Sequence, residues 1–174
     1  MPNRRRNLEV GSANAESGFT LIELLIVMSV ILILITLAVP GYEAVHKKTN
    51  ETSAMNSVRA IHSAETEYNS QYPSRGYACT LAQLGGKQGA SVPTPDAAQL
   101  LAEDLAAGTK AGYNFTVKCG DKNTSAGVDQ YNSVQIIATP IAVTKTGNRA
   151  FCSDESGTIR FDPTGGTNCT ELLQ

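Results

Sequence analysis

The sequence predicts an α+β protein in which one long N-terminal helix precedes a small antiparallel sheet. Three observations support this fold class. Residues 19–39 form an apolar run, residues 40–72 continue with helical periodicity, and several strand-like runs follow residue 76. A helix followed by a block of strands is typical of α+β domains, in which the helix covers one face of the sheet.

The apolar run, FTLIELLIVMSVILILITLAV, contains a single charged residue, Glu23. A helix of this length extends roughly 30 Å, enough to cross the hydrocarbon of a bilayer. Leu, Ile and Val cover every side of that helix, which leaves no face suited to water. A core helix of a small globular protein would rarely be so uniform. We therefore interpret residues 19–39 as a membrane-spanning helix.

Residues 1–18 are polar and carry the basic cluster Arg4, Arg5 and Arg6. Such a cluster stays on the cytoplasmic side, which directs the other end of the span outwards. A secretory signal peptide would have a shorter apolar core followed by a small-residue cleavage site. Here the small-residue junction, Ser17-Gly18, lies before the apolar run.

Glu23 needs an explanation, because a carboxylate at mid-bilayer costs about 2.5–3.5 kcal/mol and less near the edge. No Lys or Arg lies between Phe19 and Tyr42. Cleavage after Gly18 would release an α-amino group on Phe19, four residues from Glu23. That amine could pair with Glu23 of its own chain or of a neighbouring copy. The alternative is a protonated Glu23 at the membrane edge, without a partner.

A basic leader ending in Gly18, followed by Phe19, Thr20, Leu21, Ile22, Glu23 and an apolar helix, resembles the type IV pilin signature. The resemblance covers roughly the first third of the chain, and Pro40 matches a proline common in that family. It implies cleavage between Gly18 and Phe19 by a prepilin peptidase, with N-methylation of the new Phe19 amine. It also implies that Glu23 engages the Phe19 amine of an adjacent subunit. The leader is longer than in the commonest subclass, and the span lacks a central glycine.

Beyond Pro40 the chain becomes amphipathic. Apolar residues at helical spacing predict that one helix continues to about Tyr72, with a bend at Pro40 because proline removes a backbone hydrogen bond. The stripe is formed by Val45, Met55, Val58, Ile61 and Tyr68. The residues expected to lie largely off it are Lys47, Lys48, Glu51, Arg59, Glu65 and Glu67. Residues 40–72 would thus form the helical part of a head, and residues 73–174 its globular part.

Short helical or turn pieces are expected around residues 78–86 and 96–108, with a Gly/Pro-rich loop between them. Strand-like runs follow at residues 113–119, 133–140, 149–152 and 158–161, the last preceded by the turn Asp154-Glu155-Ser156-Gly157. These runs predict a meander of antiparallel strands.

All four cysteines follow the apolar run, on the predicted outer side, where disulfides form. Four cysteines allow three pairings. We favour Cys79–Cys119 and Cys152–Cys169, because the second closes a C-terminal loop around a hairpin. A zinc site is the rival interpretation, but the sequence has no CxxC motif.

Other candidate sites are weaker. Residues 121–132 partly imitate a calcium loop, but they lack its glycine and its closing Glu, which favours a polar turn between strands. His46 and His62 are too far apart on one helix to share a metal, so we expect solvated positions. No metal or other cofactor is predicted. No catalytic cluster is evident, which argues against an enzyme, and the net charge of −2 gives no case for nucleic-acid binding.

The favoured hypothesis is a structural subunit that polymerises through its apolar helix into a helical filament. The resemblance implies as partners a prepilin peptidase, an assembly ATPase acting through a platform protein, and identical subunits. It places the chain in the bacterial inner membrane first and outside the cell afterwards. The alternatives are a type II secretion pseudopilin, a minor pilin, or a single-span anchored binding protein that never polymerises.

Overall fold

The structure, a computed structural model, describes residues 18–87, 89, 92–125 and 127–173, without the side chains of residues 37–41 and 125. The chain divides into two compact units, Met1–Pro40 and Gly41–Gln174. We call the second unit the head. The predicted α+β class is confirmed, since an N-terminal helix is followed by a small antiparallel sheet, as in the pilin fold.

Helix α1 runs over Leu21–Gln71, within two residues of the predicted bounds. Tyr72-Pro73 ends it, because the residue before a proline is disfavoured in the α conformation. Gly76 then adopts φ +74°, a left-handed conformation that glycine tolerates best. The bend predicted at Pro40 falls on a residue whose side chain lies outside those described, so it stays a prediction.

The head adds two short helices and eight strands to α1. The helices are α2 (Leu81–Leu84) and α3 (Glu103–Ala106). The strands are β1 (Thr109–Lys110), β2 (Tyr113–Cys119), β3 (Lys122–Ser125), β4 (Val128–Tyr131), β5 (Val134–Pro140), β6 (Ala150–Asp154), β7 (Ile159–Asp162) and β8 (Glu171–Leu172). One antiparallel sheet has the order β1-β2-β5-β6-β7-β8, and β3 and β4 form a separate hairpin.

The core lies between α1 and the main sheet. Strand β2 alternates regularly, with Tyr113, Phe115 and Val117 buried and the residues between them exposed. On α1, the buried side chains are Ala54, Val58, Ile61, Ala64 and Tyr68. Spacings of three and four residues place them on one face of the helix. Val45, predicted to join this stripe, is instead 64% exposed.

Glu51 and Glu65 also lie on the buried face of α1, and here the sequence interpretation was wrong. The two residues are 6% and 1% exposed. Positions 51, 54, 58, 61, 65 and 68 continue the same three- and four-residue spacing, so both acids occupy stripe positions. A buried carboxylate requires hydrogen bonds or a counter-charge, and the two residues obtain these to different extents.

Glu51 is fully compensated by the segment that leads into β6. Its Oε1 accepts hydrogen bonds from the backbone N–H groups of Asn148 (2.9 Å) and Arg149 (3.3 Å). Its Oε2 accepts from Arg149 Nε at 3.0 Å and Nη2 at 2.8 Å. Burial alone would raise the pKa of Glu51, but these hydrogen bonds and the guanidinium charge outweigh it and lower the pKa. The pair therefore fixes α1 to the start of β6.

Among the described residues, Glu65 has one hydrogen bond and no salt bridge to a cation. Its Oε2 accepts from the backbone N–H of Ala78 at 2.8 Å, whereas its Oε1 is buried without a hydrogen-bond partner among the described residues. Burial raises the pKa of Glu65 to about 8, and the single hydrogen bond from Ala78 opposes this only in part. Near neutral pH this side chain is therefore mostly a neutral carboxylic acid.

Two disulfides cross-link the head, and they join the two cysteine pairs that we favoured from the sequence. Cys79 bonds to Cys119 with Cα atoms 4.9 Å apart, and Cys152 bonds to Cys169 with Cα atoms 5.9 Å apart. The first ties the segment after α1 to the end of β2. The second ties β6 to the segment before β8. Each cross-link stabilises the fold mainly by restricting the unfolded chain.

Candidate functional site

The candidate site is the N-terminal segment from Gly18 to Glu23. Residues 18–20 precede the helix, and Gly18 and Phe19 are exposed, Phe19 to 83%. Open space surrounds Gly18, since a Cβ atom built there would meet nothing within 4 Å. The peptide bond between Gly18 and Phe19 is thus uncovered by the rest of the described chain. The basic residues Arg4, Arg5 and Arg6 lie outside the described residues.

Thr20 and Glu23 form a capping box at the start of α1. The Thr20 hydroxyl accepts from the Glu23 backbone N–H at 3.3 Å. Glu23 Oε2 accepts from the Thr20 backbone N–H at 3.1 Å and from its hydroxyl at 2.9 Å. This reciprocal pattern satisfies two backbone donors that a helix N-terminus otherwise leaves free. It also holds the Glu23 carboxylate next to the segment that bears Phe19.

The Thr20 partner of Glu23 was not predicted from the sequence, although Thr-x-x-Glu before an apolar run is a recognisable helix-start signal. The capping box does not use the whole carboxylate, because Glu23 Oε1 has no hydrogen bond within the described part of the chain. One oxygen therefore stabilises the helix start, and the other remains available to a second donor.

Residues 21–35 present an apolar surface on every side. Their large side chains are between 43% and 88% exposed, and Leu21, Leu32 and Ile33 are examples. The hydroxyl of Ser29 in this region and that of Thr36, which follows it, both donate to carbonyls of the helix itself. Ser29 donates to the Ile26 carbonyl at 2.8 Å, and Thr36 donates to the Ile33 carbonyl at 2.7 Å. Apart from Glu23, this surface has no side-chain hydrogen-bonding group in need of an outside partner.

The predicted span of residues 19–39 extends into residues 37–39, whose side chains lie outside those described. Among the described residues, no helix combines the length and the hydropathy required to cross a membrane.

Residues 13–39 match the family model of the prokaryotic N-terminal methylation motif. This segment is the type IV prepilin signature. The prepilin signature supports a type IV pilin-like protein, a subunit of a pilus or pseudopilus, and implies processing by a prepilin peptidase followed by filament assembly. No curated protein and no solved structure matches the chain. The prepilin match covers the site described above and leaves the head outside it.

The loop that resembles a calcium site is a hairpin. Residues 122–125 and 128–131 form β3 and β4, where the sequence predicted a polar turn. Lys122 Nζ lies 2.8 Å from Asp129 Oδ2, and the Thr124 hydroxyl donates to the other Asp129 oxygen at 3.0 Å. The Lys122 ammonium and the Thr124 hydroxyl lower the pKa of Asp129. Among the described residues, no group of His, Cys, Asp or Glu is arranged to hold a metal ion.

The two histidines differ in their surroundings. His46 is exposed, as predicted, and its ring lies against Tyr42 with centroids 4.3 Å apart. His62 was expected to be solvated, but it is partly buried, and its Nε2 lies 3.4 Å from the Glu155 carbonyl oxygen. The turn before β7 therefore packs against this histidine, and neither histidine belongs to a group of three or more possible metal ligands among the described residues.

Proposed function

We propose that this chain is the major structural subunit of a type IV pilus. A prepilin peptidase removes residues 1–18, and the new Phe19 amine is methylated. The mature chain waits in the bacterial inner membrane with residues 19–39 as its span and the head outside. It then enters a helical filament whose centre is built from the same helices of many copies.

The observation that carries this proposal is the all-round apolar surface of residues 21–35. Apolar side chains that no other described part of the chain covers are driven out of water at about 25 cal/mol per Å². Lipid and a bundle of identical helices meet that requirement equally well. A helix of this kind can therefore serve as an anchor first and as a filament core afterwards.

Glu23 sets the register between subunits in this proposal. Its Oε2 is engaged in the capping box, and its Oε1 is available to accept the Phe19 amine of an adjacent copy. Opposite charges attract strongly in apolar surroundings, although their desolvation offsets much of the gain. The contact consequently favours one axial position over others more than it adds to the total stability of the filament.

The assembly machinery supplies the other partners: the peptidase, a platform protein in the inner membrane, and an ATPase that acts through it. Identical subunits are the remaining partner. The chain acts as a structural component and needs no cofactor for this role.

Electron microscopy of filaments sheared from the cell surface, with mass spectrometry of their subunit, tests the proposal. We expect abundant filaments whose subunits begin at methylated Phe19. Subunits that retain residues 1–18, or cells without any filament containing this chain, would contradict it. Incorporation at filament tips alone would instead identify a minor pilin, and short fibres that depend on a secretion system would identify a pseudopilin.

A further inference from the structure

The head contains a cleft of about 580 Å³ between residues 75–83 and residues 127–131. This volume lies within the range of small-molecule binding sites. Its walls include aromatic, charged and amide side chains, among them Tyr68, Arg75, Tyr77, Gln83, Asp129 and Tyr131. Three of the six tyrosines of the chain thus line one cleft.

The two walls are fixed to each other by backbone hydrogen bonds. The Tyr77 N–H donates to the Tyr131 carbonyl at 3.0 Å, and the Tyr131 N–H donates to the Arg75 carbonyl at 2.9 Å. Gly76 lies between these bonds, and a Cβ atom there would collide with the Tyr131 carbonyl oxygen. The adjacent Cys79–Cys119 disulfide restrains the same wall. The cleft is therefore preformed, which reduces the entropy cost of binding.

Several hydrogen-bond donors in the cleft are unused. The hydroxyls of Tyr77 and Tyr131 and the amide nitrogen of Gln83 have no hydrogen bond within the described residues. By contrast, the Tyr68 hydroxyl donates to the Pro95 carbonyl at 2.8 Å, which holds its ring in place. A ligand in this cleft would consequently meet free phenol and amide groups beside the fixed ring of Tyr68.

Arg75 supplies a positive charge with spare donors. The ion pair that it makes with a described residue joins Nη1 to Asp96 Oδ1 at 3.3 Å, and both side chains are exposed. Exposed pairs of this kind contribute little, so the remaining guanidinium N–H groups can bind another acceptor. Asp129 on the opposite wall does not oppose an anion strongly, because Lys122 lies 2.8 Å from its carboxylate.

We infer that this cleft binds a sugar acid, a hydroxylated six-membered ring that carries one carboxylate. Arginine binds carboxylates through paired N–H groups, which assigns the acid group to Arg75. The hydroxyls of Tyr77 and Tyr131 and the Gln83 amide are placed to bind ring hydroxyls. Tyrosine rings offer flat apolar faces to the C–H groups of the ring. The head would thereby recognise acidic carbohydrate, a role distinct from filament assembly.

The chain contains no tryptophan, so its fluorescence reports on tyrosine alone. We propose titrating the detergent-solubilised full chain with D-glucuronate and with D-glucose, which has the same ring without the carboxylate. The expected result is a saturable change with glucuronate at up to about 10 mM, at least about tenfold weaker with glucose. Amide NMR shifts should map the binding to residues 75–83 and 127–131.

Two matched variants test the assigned arginine. Arg75→Gln should weaken glucuronate binding about tenfold or more, whereas Arg59→Gln, an exposed arginine on α1 outside the cleft, should leave it unchanged. Absence of a saturable change, equal responses to glucose and glucuronate, or NMR shifts elsewhere on the head would overturn the inference. Equal binding by folded Arg75→Gln protein would do the same. Filament formation by the Arg75 variant is expected to persist, which separates this test from that of the proposed function.

Discussion

Residues 21–35 and residues 54–68 belong to the same helix, yet their apolar side chains differ in exposure. The first region exposes them on all sides, whereas the second buries one face against the main sheet. The acids follow the same division. Glu23 Oε1 has no hydrogen bond to any described residue, while Glu51 and Glu65 are enclosed within the head. The first region therefore leaves its apolar surface uncovered by the described chain, whereas the second buries one apolar face within the head.

Glu23 offers the largest test of this difference. Glu23→Ala removes both the cap and the charge, whereas Glu23→Gln keeps a carbonyl acceptor for the cap and removes only the charge. If charge pairing with the Phe19 amine sets the register, both variants should lower filament yield by at least about tenfold, which corresponds to roughly 1.4 kcal/mol. Electron microscopy and immunoblots of sheared filaments measure this yield.

The matched control for Glu23 is Glu67→Ala, at an exposed position on the same helix, which should assemble normally. Membrane levels of all variants should match the wild type. Normal filaments from Glu23→Gln cells would show that the capping box alone explains this acid, and the register model would then be wrong.

Glu65 should make the stability of the head depend on pH. Its pKa is raised to about 8 in the folded state by burial, so the folded chain holds a proton that the unfolded chain releases. Stability should therefore fall as pH rises from about 4.5 to 8 and change little above that, by an amount on the order of 3–5 kcal/mol. Urea unfolding of the detergent-solubilised chain at several pH values measures this dependence.

Glu65→Gln is uncharged at every pH, so it should remove most of this pH dependence. Its amide oxygen can still accept from the Ala78 N–H, which preserves the local hydrogen bond. Filament yield at neutral pH should stay unchanged. A slope as steep in the variant as in the wild type would refute the assignment to Glu65.

Glu51 should behave differently from Glu65, because its charge is compensated. Glu51→Gln leaves the Arg149 guanidinium without its counter-charge in a partly buried position. We expect a loss of about 2–3 kcal/mol. The Arg149 Cζ atom also lies 5.6 Å from the Phe151 ring centroid and 5.3 Å from that of Phe161. These cation–π contacts remain in the variant, so they should still stabilise the guanidinium in part.

Chemical denaturation at pH 7 measures the loss in the free energy of unfolding. The double variant Glu51→Gln/Arg149→Met completes a double-mutant cycle. The double variant should recover part of the loss, since no unpaired charge remains. A loss below about 0.5 kcal/mol in Glu51→Gln, the range of ordinary surface substitutions, would show that the ion pair is not important for the head.

The smallest effect is expected at Thr20. Thr20→Ala removes the side-chain half of the capping box and should cost about 1 kcal/mol, while Thr20→Ser should keep it. Faster amide hydrogen exchange confined to the first turn of α1 in Thr20→Ala would report the loss. Unchanged exchange in that turn would mean that the cap is unimportant. A change in the stability of the head would show that the two regions of α1 are not independent.

Much of the fold could be predicted, because apolar residues recur at helical spacing along α1 and in short runs along the longer strands. Strands β2, β5, β6 and β7 lie within two residues of their predicted bounds. Strands β3 and β4 were missed because their sequence is polar and resembles a loop, and their pairing depends on the partner strand more than on composition. Strands β1 and β8, with two residues each, have no pattern that a sequence could show.

The acids of α1 show a second limit. Glu51 and Glu65 were assigned outwards because the stripe was defined by apolar residues alone. Their spacing placed them on the buried face, but their compensation comes from residues 97 positions away at Asn148 and 13 away at Ala78. No local signal predicts such partners. The Thr20 cap, by contrast, could have been read from its three-residue spacing to Glu23.

The hydroxyls of Ser29 and Thr36 are bonded to carbonyls of their own helix. Transfer of residues 24–36 from lipid tails to neighbouring helices would therefore exchange no hydrogen bond. What would change is the fit of side-chain shapes, which depends on how well knobs on one helix meet hollows on the next. We therefore expect the free-energy change of such a transfer to depend mainly on this packing.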